Sequence, residues 1–182
     1  MMTKKALLVI DMQKGSFAPE TPRYDTQGVI NRINLLANKF RTTGNHVFYI
    51  QHDGTKNNEF IPKTEAWEIL SGLKVSDEDI LINKYANDVF YNSNLKLELE
   101  SRNINNLYIT GCATDFCVEA TVQSALAKDY TITVVENGHT TGNRPHITAE
   151  KVIEHYNWVW QNMIPTKGVI KVKRFETILN TL

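Results

Sequence analysis

Short runs of apolar, mostly β-branched residues recur along this chain at Ala6 to Ile10, Val47 to Ile50, Ile80 to Ile82, Leu107 to Thr110, Thr131 to Val135 and Val169 to Val172. They are apolar at consecutive rather than alternate positions, so strands built from them need cover on both faces. The cover is encoded between them. One segment with helical periodicity runs from Asp25, a residue suited to an N-cap, to Phe40, with Ile30, Ile33, Leu36, Ala37 and Phe40 on one face and Gly44 beyond its end. Others lie near Asn94 to Leu99, Asp115 to Ala127 and Thr148 to Asn162. Buried strands alternating with helices predict an α/β fold: a doubly wound, three-layer α/β/α domain around a mainly parallel sheet of about six strands.

The chain has 182 residues, enough for a sizeable core in one domain spanning 1–182 and short for two. Lys and Arg together number 20, as do Asp and Glu, so no net basic field is available to hold nucleic acid or an anionic membrane surface. The expected partner is a small molecule. The apolar stretch Ala6 to Ile10 is too short for a signal-peptide core or a membrane span, and the expected location is the cytoplasm. In that compartment Cys112 and Cys117 stay reduced, and without nearby histidines they do not make a zinc site. No repeat, linker or low-complexity tract interrupts the pattern. His52 to Leu73 is the longest loop-like stretch, and its Phe60 and Trp67 suit a pocket wall or lid.

In open parallel sheets the ligand lies beyond the carboxyl ends of the strands. That rule nominates Asp11, Gln51 to Gly54, Asn83 to Tyr85, Gly111 to Cys117 and Glu136 to His139. Cys117 falls where an apolar strand gives way to a helix, and the free N–H groups and macrodipole of a helical first turn favour a thiolate. A small buried packing residue is the alternative. Asp11 stands directly after ALLVI and Lys84 directly after ILIN. Taken singly, they read as a turn aspartate and a surface lysine. If their strands neighbour the one leading to Cys117, Lys84 steadies a thiolate, and Asp11 accepts the thiol proton and returns it to a leaving amine.

The pieces ALLVIDMQKGSF, ILINKYANDVFYNSNL and LYITGCATDFCVEAT, followed by VVENGHTT, resemble the isochorismatase-like cysteine hydrolase superfamily, which includes nicotinamidases, N-carbamoylsarcosine amidohydrolases and isochorismatase itself. The resemblance covers nearly the whole chain. It implies Asp11 as general base and acid, Lys84 as electrostatic partner and Cys117 as nucleophile. It also implies a cis peptide between Cys112 and Ala113, and an oxyanion hole formed by the N–H groups of Ala113 and Cys117. Cys112 is then a packing residue. The implied reaction cleaves a C–N bond of a small amide or ureido compound through a thioester, without a cofactor, in a homodimer or homotetramer.

Two departures shape the expectation. Nicotinamidases commonly carry a metal site after the second strand, built from an Asp, a His two residues on and a further His. Here Gln51, His52 and Asp53 are followed by no histidine until His139, so no metal is expected. Isochorismatase cleaves a vinyl ether and needs no thiol, so Cys117 favours the amide. The vinyl ether reading stays open, as does a non-catalytic flavodoxin-like binding module, although no GxGxxG loop follows the first strand. Arg23, Arg32, Arg41, Arg102, Arg144 and Arg174 are scattered, with Arg144 soon after a strand end and able to approach the site. Expected pocket walls are Phe17, Gln51, Trp67, Tyr85 and Phe116, suited to a flat amide. His155, Tyr156, Asn157, Trp158 and Trp160 are expected to serve packing or a subunit interface.

Overall fold

A computed structural model describes residues 4–182. Strands β1 (Lys4–Ile10), β2 (His46–His52), β3 (Ile80–Lys84), β4 (Ile104–Cys112), β5 (Thr131–Thr140) and β6 (Ile170–Lys173) form one sheet in the order β3-β2-β1-β4-β5-β6. Every pairing is parallel. Helices α1 (Thr26–Thr42), α2 (Leu95–Ser101), α3 (Glu119–Ala127), α4 (Ala149–Asn162) and α5 (Phe175–Thr181) cover both faces. The alternation of β1 shows the layering. Ala6, Leu8 and Ile10 pack with Leu95 and Leu99 of α2, Val122 of α3 and Trp160 of α4. Leu7 and Val9 pack on the other face with Ile33, Leu36 and Phe40 of α1 and with Phe175 and Ile178 of α5. Residues buried on both sides of a strand are the reason the runs are continuously apolar.

The order reverses between β1 and β4, which places the crevice of a doubly wound sheet at the ends of these two strands. They approach closely there. Gly111 pairs with Ile10 at a φ of 124°, and a Cβ on it would stand 2.1 Å from the Ile10 carbonyl oxygen. Only glycine fits.

The structure revises several boundaries. β5 does not stop at Val135 but runs on to Thr140, with a register shift opposite Ile109 to Gly111, so Glu136 to His139 lie inside the strand. Polar residues within it masked the continuation. The helix expected from Asp115 begins instead with a wide turn, Thr114–Val118, before α3. Asp25 does precede α1, but its side chain caps nothing and pairs with Arg32. α5 lies outside every helical segment expected from the sequence. It is only seven residues long and buries just Phe175 and Ile178, too little periodicity to stand out. Among the described residues, no helix is long and apolar enough to cross a membrane.

Candidate active site

The ends of β1, β3 and β4 bring three side chains together. Lys84, the last residue of β3 and fully buried, places Nζ 2.7 Å from Asp11 Oδ2 and 3.3 Å from Cys117 Sγ, and donates to the Ala86 carbonyl at 2.8 Å. Three acceptors for three ammonium hydrogens leave the lysine satisfied. Asp11 sits at the switch point with φ 48°, its amide held by the Ile50 carbonyl at 3.0 Å. Left-handed backbone is uncommon outside glycine, and Asp is among the residues that tolerate it. Its Oδ1 is buried without a partner among the described residues.

Charge settles the resting state. Burial alone would lower the Lys84 pKa, but Asp11 and Cys117 beside it raise it, so the lysine is cationic. Burial and the neighbouring Asp11 charge push the Cys117 thiol well above the ordinary range, and Lys84 only partly offsets them. The expected thiolate is therefore not the resting form. Asp11 and Lys84 already cancel, and a thiolate would add an uncompensated negative charge in a buried place.

Cys117 rides on the wide turn. The Ala113 carbonyl accepts from both Phe116 N and Val118 N at 3.1 Å, and the peptide between Cys112 and Ala113 is cis, as the resemblance implied. Thr114, at the start of the turn, donates to His139 Nδ1 at 2.8 Å, and His139 Nε2 meets Asn157 Oδ1 at 3.0 Å. Asn157 on α4 thus reaches the turn through a histidine, a link hidden when the helix is read for packing alone. Asp115 anchors the next position. Arg144 donates to it through Nε at 2.7 Å and Nη2 at 2.9 Å, and Thr141 donates at 2.7 Å. Burial would raise the Asp115 pKa, but these bonds hold it below the usual carboxylate range. Burial pushes the Cys112 thiol up to about 12, which leaves it an inert packing residue.

Asp11, Ala113 and Cys117 open onto a cavity of about 290 Å³, also lined by Arg23, His52, Phe60, Asn87, Phe116 and Arg144. Asn87 Oδ1 lies 3.6 Å from the thiol. Of the five expected wall residues only Phe116 lines this cavity; its ring carries the Arg144 guanidinium 5.0 Å from its centre. Gln51, Trp67 and Tyr85 border a separate depression, because Gln51 turns its amide to the Trp67 carbonyl at 2.9 Å. Phe17 packs against the core on the α1 side. The long loop does contribute a wall, through Phe60, which meets His52 edge to face at 5.9 Å. Arg23 and Asn87 went unnoticed as wall residues, since neither follows an apolar run directly.

His52 and Asp53 do not assemble a metal site. Asp53 Oδ1 is occupied by Thr55, which donates from N at 3.0 Å and from Oγ1 at 2.6 Å. Burial and the Lys84 charge lower the His52 pKa, which keeps its imidazole neutral, but among the described residues no three His, Cys, Asp or Glu side chains converge to share an ion with it. The residues present do not fit the metal centre of nicotinamidases.

Known proteins resemble the chain along most of its length. The isochorismatase domain model matches residues 5–163. The chain is 34% identical to the uncharacterized isochorismatase family protein YddQ of Bacillus subtilis (strain 168), across 75% of this chain and 77% of that protein. It is 26% identical to the ureidoacrylate amidohydrolase RutB of Caulobacter segnis, across 75% and 73%. A crystal structure of an isochorismatase family protein superposes with a TM-score of 0.86 at 26% identity, covering 94% of this chain and 99% of that one. Sheet and relatives together define an enzyme of the doubly wound α/β class. The chain belongs to the isochorismatase family and is a hydrolase.

Proposed function

We propose that this hydrolase cleaves the C–N bond of a small amide or ureido compound with Cys117 as nucleophile. One observation carries the reading: a thiol and a carboxylate with a spare oxygen face one cavity at the sheet's switch point, and the buried Lys84 ammonium behind them contacts both. The thiol passes its proton to Asp11 as sulfur attacks the carbonyl carbon. This transfer leaves the cluster's net charge at zero, since negative charge merely moves from Asp11 to sulfur beside the same ammonium. The N–H groups of Ala113 and Cys117 receive the oxyanion. As the C–N bond breaks, the proton held on Asp11 goes to the departing nitrogen and a thioester remains. Water then gives a proton to Asp11, adds to the thioester and releases the acid, and sulfur recovers its proton.

The RutB relative, an amidohydrolase, supports the C–N choice. Ammonia release from a panel of small amides, ureido acids and aromatic carboxamides tests it, with wild type beside Cys117→Ala. Release by wild type with a loss of roughly a thousandfold or more in the variant is expected. Equal turnover by both would refute the thiol mechanism, and silence from both on every amide would favour vinyl ether hydrolysis.

A further inference from the structure

Six arginines occur in the chain, and among the described residues five have a carboxylate within salt-bridge distance: Arg32 with Asp25, Arg41 with Asp79, Arg102 with Glu98, Arg144 with Asp115 and Arg174 with Glu176. The sixth, Arg23, lines the cavity that holds Cys117. Its guanidinium is nonetheless held. Nε donates to the Ser16 carbonyl at 2.7 Å, while Nη1 and Nη2 have no acceptor among the described residues. Gly142 makes room for it, since a Cβ there would stand 2.9 Å from Nη1. The backbone around it is clamped as well: Tyr24 N donates to the Thr141 carbonyl at 3.0 Å, and Thr26 Oγ1 to the Arg23 carbonyl at 3.0 Å.

An arginine fixed through Nε with its outer fork unused is pre-organised for a planar two-oxygen anion, and less side-chain freedom is lost on binding than for a mobile lysine. The cavity's remaining charges do not remove the need. Asp11 is committed to Lys84, Arg144 to Asp115, and Glu59 is exposed. We infer that Arg23 is the carboxylate subsite of this cavity, so that the substrate is a short amide or ureido acid whose carboxylate is gripped by Arg23 while its carbonyl meets Cys117. Arg23 stands close enough to Cys112, the residue before the Ala113 amide, for its charge to reach that thiol. The cavity of about 290 Å³ leaves room for only a few carbons between the two groups of such a substrate. The balanced charge of the whole chain does not speak against an anionic substrate, because it says nothing about one fixed guanidinium.

This inference rests on the amide reading above, so its test is made independent of turnover. Calorimetric binding to the Cys117→Ala protein is measured for oxamate, malonamate, succinamate and glutaramate, each against the neutral amide of matching length. At least one amido acid is expected to bind roughly tenfold to a hundredfold more tightly than its neutral partner. Arg23→Gln should erase that preference without weakening the neutral amide, and Arg23→Lys should restore part of it. Gly142→Ala, which displaces the fork but keeps the charge, should reduce it and covers the case in which Arg23→Gln fails to fold. No preference for any acid, or a preference that survives both Arg23→Gln and Gly142→Ala, overturns the subsite. Selective binding together with no hydrolysis by wild type would instead leave the subsite standing and sink the amide chemistry.

Discussion

His139 accepts the Thr114 hydroxyl hydrogen bond on Nδ1 at 2.8 Å and presents Nε2 to Asn157 Oδ1 at 3.0 Å. The Asn157 amide nitrogen donates to the Glu136 carbonyl at 3.0 Å, which fixes the direction of the chain: Nε2 carries the proton and Nδ1 is the acceptor. A second proton on the ring would turn the bond to Thr114 round, with Oγ1 accepting, and would leave a charge in a buried place. Burial accordingly lowers the His139 pKa to about 4.

A pH dependence of stability follows. The folded pKa lies below the ordinary value near 6.5, so the unfolded chain binds the proton first as pH falls. The stabilisation from keeping His139 neutral is full above about 6.5 and is lost as pH drops towards 4, amounting to about 3 kcal/mol. Urea unfolding of wild type and His139→Gln at several pH values should show the gap between them narrowing across that window. A constant gap would mean that protonation of His139 is not the cause.

The buried pair of Asp11 and Lys84 sets a second expectation. Lys84→Met strands a carboxylate in a buried site and should cost about 3–5 kcal/mol. Adding Asp11→Asn removes the stranded charge and should recover most of that loss. Activity should not return, since the proton acceptor and the ammonium are both gone. Thermal melts of the two single variants and the double variant, with hydrolysis measured on each, decide the matter; a double variant less stable than Lys84→Met alone would contradict it.

The sheet and the three catalytic candidates were legible because their signals are local. Continuous apolar runs mark strands buried on both faces, and Asp11 and Lys84 stand directly at the ends of such runs. The walls were not legible. Gln51 occupies a strand end yet faces the Trp67 carbonyl, while Arg23 enters the cavity from the approach to α1, held there by the Ser16 carbonyl. Which way a loop side chain turns depends on partners far along the chain, and those pairings leave no period in the sequence. The resting charge of Cys117 was misjudged for a related reason. A place in a first helical turn can be read locally, whereas burial and the opposing Asp11 charge come only with the fold.

Alkylation of Cys117 should therefore be slow at neutral pH, and its rate should still be climbing beyond pH 9, since burial and the Asp11 charge both hold the proton on sulfur. Asp11→Asn removes one of these causes while Lys84 still pulls the other way, so the inflection should shift to lower pH. Iodoacetamide labelling across pH, with Cys112 as the inert internal reference, makes the comparison. An inflection below 7 in wild type would restore the thiolate expected from the helix terminus.

Two glycines with left-handed backbone separate space from conformation. Gly44, at φ 71°, has nothing within 4 Å of the position a Cβ would take, so Gly44→Ala should cost only the backbone penalty, about 1 kcal/mol. Gly111 has φ 124° and would drive a Cβ to 2.1 Å from the Ile10 carbonyl oxygen and 2.6 Å from its nitrogen. No flexible side chain can yield there; β1 must move off β4, and Asp11, next after Ile10, moves away from Cys117 with it. Gly111→Ala should cost more than about 4 kcal/mol or prevent folding outright. Soluble yield and melting temperature of the two variants, prepared side by side, measure the difference. Similar losses at both positions would show that the close approach of β1 and β4 is not what the switch point requires of residue 111.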